Sequence, residues 1–170
     1  MTDEELRKLL NRMKNGDLSA FEEIYNGLSA PVYTIALRIT QSRTLAEDTV
    51  QEVFLKLYSA PPAEHIEKLR AYIFRIAHNR ALDMLRAQHE HEDIDDIAEL
   101  AAPQREDHSD VTEALSSLSE AERSIISLHI YGGLKFREIA EVTGSPTGTV
   151  LWRYNRAISR LRKLLSDSES

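Results

Sequence analysis

Along almost the whole chain, apolar residues return every three or four positions, the period of a helix with one buried face. Leu6, Leu9, Leu10 and Met13 make a first stripe, which Asn15-Gly16-Asp17 closes. Asp17 or Ser19 then caps a segment in which Phe21, Ile24, Tyr25 and Leu28 face inward. Pro31 is expected to start another helical run, carrying Val32, Ile35, Ala36 and Ile39. Thr44, with Glu47 three residues on, has the pattern of a capping box opening a helix from Leu45 to Tyr58. Pro61-Pro62 forbids continuation. A long helix follows from about Ile66 to Arg86, with Leu69, Ile73, Ile76, Ala77 and Met84 toward the core. No segment shows the period of two that a half-buried strand requires. The chain reads as all-α.

The strongest local pattern runs from Leu134 to Leu165. Phe136, Ile139, Ala140 and Val142 give a short helix its buried stripe. Gly144 stands where the backbone must take a positive φ, which glycine does without steric cost. Ser145 is a cap for a second helix, with Pro146 in the first-turn position that needs no N–H. Val150, Ala157, Ile158, Leu161 and Leu165 recur along that helix, and Arg153, Arg156, Arg160, Arg162 and Lys163 surround them. A short helix, a glycine turn and a longer basic helix fit a helix-turn-helix that sets one helix in a DNA major groove. They also fit an ordinary helical hairpin with a solvated basic face.

Between these regions the periodicity lapses. Residues 88–109 are acidic, contain Pro103 and have only a brief apolar cluster at Ile94, Ile97 and Leu100, too little to offset the entropy of ordering. The expected organisation is an N-terminal domain over 1–87, a flexible acidic linker over 88–110 and a C-terminal domain over 111–170. The last opens with a capping box at Ser119 and Glu122 before Ile125, Ile126, Leu128 and Ile130, and Gly132-Gly133 ends that helix.

Charge changes the picture by its distribution. The net charge of −7 argues against nucleic acid, yet Gln88–Glu122 holds twelve acidic residues against one basic. Lys135–Lys163 holds seven basic against two acidic, and Ile66–Arg86 five against two. Two basic helical segments flank an acidic spacer. The chain has no cysteine, which excludes disulfides and thiolate metal sites. It lacks a signal-peptide pattern and any apolar run near the roughly 20 residues of a membrane span, so a cytoplasmic protein without membrane insertion is expected.

Two further segments suggest binding. Asp48, Gln51, Glu52 and Leu55 fall at i, i+3, i+4 and i+7, side by side on one helix face. Such a face suits a partner helix bearing arginines, or is simply solvated. The Ile66–Arg86 helix interleaves cations with Tyr72, Phe74, His78 and Asn79, a combination that holds single-stranded nucleic acid. Its aromatics equally suit a core. His89, Glu90, His91, Glu92 and Asp93 lack a scaffold for a metal, so no metal or other cofactor is expected. No nucleophile–base pair or phosphate-binding glycine loop is evident, so no enzyme is expected.

Taken together, the order of parts resembles the extracytoplasmic-function (ECF) sigma factors, the smallest sigma subunits of bacterial RNA polymerase. The resemblance rests on Gly16-Asp17 with Ala20-Phe21, on Ala46–Tyr58, on Leu69–Arg86, on Leu118–Arg123 and on Gly133–Val150. It implies a subunit that binds core RNA polymerase and directs promoter-specific initiation. Asp48, Gln51, Glu52 and Leu55 would contact a polymerase coiled coil. The loop around Ser59–Glu64, with Arg70, Tyr72, Arg75, His78, Asn79 and Arg86, would melt and read the −10 element. Phe136, Arg137, Thr147, Leu151, Trp152, Arg153, Asn155 and Arg156 would serve the −35 element. The linker would span between the two, its charge suited to the channel that RNA later fills. An anti-sigma factor is the further partner implied.

The chain departs from the family pattern in two places. After Gly148-Thr149-Val150 relatives usually carry a basic residue and a serine, where this chain has Leu151 and Trp152. Tyr72 stands where tryptophan is common. The competing reading is a stand-alone helix-turn-helix regulator, for which the N-terminal segments have no evident use.

Overall fold

The computed structural model describes residues 1–94 and 110–169. Among them are eight α-helices and no strand: α1 (Asp3–Lys14), α2 (Leu18–Thr40), α3 (Arg43–Ser59), α4 (Leu69–Ile94), α5 (Asp110–Ser116), α6 (Glu120–Ile130), α7 (Phe136–Thr143) and α8 (Thr147–Ser168). The linker expected over 88–110 therefore divides. Its first residues continue α4, and 95–109 lie outside the described residues.

Caps fix most of the boundaries. At α1, Glu5 N–H donates to Thr2 Oγ1 at 3.2 Å while Thr2 N–H donates to the Glu5 carboxylate at 2.7 Å. Asp17 caps α2, accepting from Ser19 N–H at 3.0 Å. The Ser119–Glu122 box opens α6 as expected. Each such cap contributes about 1 kcal/mol.

Several sequence expectations are corrected. Pro31 does not start a helix but lies inside α2. Its missing N–H costs one ladder bond, while Ile24, Leu28, Val32, Ile35 and Ile39 on both sides of it are buried on one face, and that burial carries the helix through. The cap of α3 is Ser42, whose hydroxyl accepts from Leu45 N–H at 3.3 Å, not Thr44. The long helix begins at Leu69, three residues late, and ends at Ile94, eight residues past Arg86. In α8, Pro146 occupies the cap position, and Ser145 instead accepts from Arg153 Nη1 at 3.5 Å. Tyr25, expected inward, is exposed, and Met84, expected toward the core, is half-buried.

Helices α1–α4 form an N-terminal lobe whose core includes Leu6, Ile24, Ile39, Val53, Leu57, Ile73 and Phe74. Helices α5–α8 form the second. The lobes pack with α2 against α6 and α4 against α7, and one apolar cluster continues from Ile35 and Phe74 to Leu128, Leu134, Ile139 and Val150. A smaller cluster of Leu115, Leu118, Ile126 and Ala157 seats α5 and α6 on α8.

Candidate nucleic-acid interface

The turn between α7 and α8 is built by Gly144 at φ +69°, in the left-handed region. Buried Ile139, Ala140 and Val142 anchor α7, and buried Val150 and Ala157 anchor α8. Three rings lock the pair together. Phe136 stacks on His129 with centroids 4.5 Å apart, and Tyr154 stands edge-on to both at 4.9 and 5.0 Å. His129 Nδ1 donates to the Leu134 carbonyl at 2.9 Å, which fixes its ring. Thr147, Leu151, Trp152, Asn155 and Arg156 of α8 are all exposed. Arg137 is exposed on α7; Phe136 and Arg153 are half-buried, committed to His129 and to Ser145.

On α4, helical spacing sets Tyr72, Arg75, Asn79 and Arg86 along one strip. Arg75, Asn79 and Arg86 are exposed on it, and Tyr72 is half-buried against the core. His78 and Arg70 lie off the strip. His78 is 6 % exposed, its Nδ1 3.4 Å from Asn79 Oδ1, and burial pushes its pKa down despite that contact. Arg70 turns toward the C-terminal lobe, where its Nη2 donates to the Gly132 carbonyl and its guanidinium carbon lies 5.7 Å from the Phe74 ring centroid. Lys68 and Glu138 approach to 3.8 Å across the same junction. Arg38 joins them, donating to Thr112 Oγ1 at 3.1 Å and lying over Tyr131 at 6.0 Å.

The α3 face keeps Asp48, Gln51 and Leu55 exposed, while Glu52 is half-buried and paired with Arg80 of α4. Beside it is a groove that sequence reasoning missed. Phe21, Tyr25, Tyr33, Val50, Phe54, Leu55 and Tyr58 line about 730 Å³ of largely apolar space between α2 and α3. The rings pack edge-on, Tyr25 at 4.8 Å from Phe54 and Phe21 at 5.4 Å from Tyr58. Gln51 and Leu55 belong to both the face and the groove, so the two are continuous. Glu122 was legible only as a cap. Its carboxylate is also 3.9 Å from Arg156 Nε and 3.5 Å from Arg160 Nη1.

Among the described residues no group of histidines and carboxylates is placed to hold a metal, and no helix is long and apolar enough to cross a membrane. His89 lies 3.5 Å from Glu92 one turn on, a surface pair.

Comparison with known proteins gives a consistent picture. Residues 24–91 match Sigma-70 region 2, and residues 114–163 match Sigma-70, region 4. The chain is 33% identical over 142 residues to the RNA polymerase sigma factor SigV of Bacillus subtilis, covering 81% of this chain and 86% of that protein. It is 27% identical over 181 residues to the ECF RNA polymerase sigma factor SigK of Mycobacterium bovis, covering 96% and 95%. Among solved structures it resembles the sigma factor RpoE of Bartonella quintana, captured in complex with the anti-sigma factor NepR, with a TM-score of 0.72, 25% identity and coverage of 86% and 96%. It shares its fold with CnrH, solved with the cytosolic domain of CnrY, at a TM-score of 0.70, 24% identity and coverage of 98% and 99%.

Proposed function

The chain belongs to the ECF sigma factors, and on that premise we propose how its two lobes divide the work of promoter-specific initiation. As a sigma factor it binds core RNA polymerase and directs it to promoters through their −10 and −35 elements. We assign polymerase binding to the α3 face of Asp48, Gln51, Glu52 and Leu55. The strip of Tyr72, Arg75, Asn79 and Arg86 on α4 takes the −10 element. Unstacking a base there costs a few kcal/mol, offset when the base enters a pocket. The exposed side of α8, with Thr147, Leu151, Trp152, Asn155 and Arg156, takes the −35 element. Its cations hold register on phosphates while other side chains read base edges.

One observation carries this reading: each lobe presents its own exposed basic face, on α4 and on α8, and each face lies within a matched sigma region. A stand-alone helix-turn-helix regulator would leave the N-terminal face unexplained. Sigma factors are not enzymes in general, and we read this chain likewise as a specificity subunit working in the cytoplasm, where its polymerase is. The relative solved with NepR supports an anti-sigma partner here too.

The test is to add the purified protein to sigma-free core polymerase from the source organism and map transcription starts on its genome. Starts sharing paired upstream motifs are expected. No binding to core, or starts without a common motif, sinks the proposal.

A further inference from the structure

Resting on α8 as the −35-reading helix, we propose that Trp152 reads a thymine methyl in that element and that Glu122, acting through Arg156, is the positioning residue that holds the indole for this contact.

Trp152 is 59 % exposed on the DNA-facing side of α8, beside Leu151 at 43 %. Its ring is tethered. The Arg156 guanidinium carbon, one turn on, lies 5.3 Å from the ring centroid, in cation–π range. Arg156 is in turn held from α6, its Nε 3.9 Å from Glu122 Oε1. Glu122 cannot drift. Its side chain is 6 % exposed, Oε2 accepts from Ser119 N–H at 3.1 Å, and the same carboxylate meets Arg160 Nη1 at 3.5 Å. The capping box of one helix thus fixes a cation of another, and that cation fixes the ring.

Chemistry selects the base. Leucine offers no polar group, and the indole N–H only donates. In the major groove adenine and cytosine present amino donors that neither side chain can accept. Guanine offers two acceptors but no methyl. Thymine alone offers a methyl for the apolar surface and one acceptor, O4, for an N–H.

The test uses holoenzyme assembled from the full chain and core polymerase on a promoter found by start mapping. Each dT of the −35 element is replaced singly by dU, which removes only the methyl. One replacement should weaken binding about 3–10-fold, the loss expected for one buried methyl group. Trp152→Ala should erase that dT/dU difference. Glu122→Gln keeps the bond from Ser119 N–H but loses the charge on Arg156. It should shrink the dT/dU ratio at that one position at least twofold at a temperature where a thermal melt shows the variant still folded. Arg156→Lys, which loses the planar group over the ring, should do the same. If Glu122 were only an acidic neighbour of DNA, its neutralisation would raise affinity at every sequence and leave the ratio intact, which overturns the positioning role. A −35 preference with no dU-sensitive position, or one that survives Trp152→Ala, overturns the reading by Trp152. Absence of any −35 preference overturns the assignment of α8 itself.

Discussion

The side chain of Arg70, on the helix assigned to the −10 element, donates to the carbonyl of Gly132 in the other lobe. Arg70 is one of the few polar groups that tie the lobes across a junction otherwise made by apolar packing. Replacing it with alanine removes a charge-assisted bond in a half-buried setting and is expected to cost about 1–2 kcal/mol. Urea unfolding measures that cost. A donor–acceptor dye pair with one label per lobe should report greater separation in Arg70→Ala than in the wild type. An unchanged dye distance contradicts the role of this bond.

Glycines on the two sides of the second lobe should respond oppositely. A Cβ at Gly132 would meet the Leu128 carbonyl oxygen at 2.5 Å and Ile35 Cδ1 at 3.4 Å. Gly132→Ala should therefore destabilise by roughly 1–3 kcal/mol. At Gly148 nothing lies within 4 Å of an added Cβ, and the residue is already helical. Gly148→Ala should raise stability by up to about 0.5–1 kcal/mol. Thermal melts of the two variants decide both.

His78 makes stability pH-dependent. Burial depresses its pKa in the folded chain, so between the folded and unfolded values the unfolded state binds more protons. Its contribution is complete above about 6.5, the ordinary histidine value, and is lost as pH falls through the folded value. Urea midpoints of wild type and His78→Gln at pH 7.5 and 5.5 test this. The wild type should lose more stability on acidification than the variant.

Leu55 is 64 % exposed and supports no core, so its replacement should act on association alone. Leu55→Asp is expected to weaken binding to core polymerase tenfold or more, with the melting temperature within about 1 °C of wild type. A titration of labelled protein with core polymerase gives the affinity. Undiminished binding removes Leu55 from the docking face.

Much of this architecture could be read from residue spacing, because helix faces and caps are local. The stripe of α1, the Ser119–Glu122 box, the Gly144 turn and the α3 face all depend on residues within a few positions of one another. What escaped depends on neighbours distant in sequence. Pro31 reads as a helix start unless the buried face running through it is known. Tyr25 has the spacing of a core residue, yet it lies where α2 and α3 part and leave the groove open. Glu122 looks complete as a cap, and nothing periodic announces arginines more than thirty residues away. The extension of α4 into an acidic stretch is a contest between local charge and helix continuity that composition alone does not settle.

That extension has a geometric consequence. Among the described side chains of α4 the last buried one is Leu85, and the helix runs on for nine residues past it, roughly 13 Å, as a spar. A spar has a phase as well as a length. One alanine inserted after Arg86 would rotate the remainder of α4 by about 100°, while seven would restore its heading to within about 20° and add about 10 Å. The second lobe takes its bearing from the packing of α2 on α6 and of α4 on α7, so such insertions turn the acidic end of the spar and not the lobe.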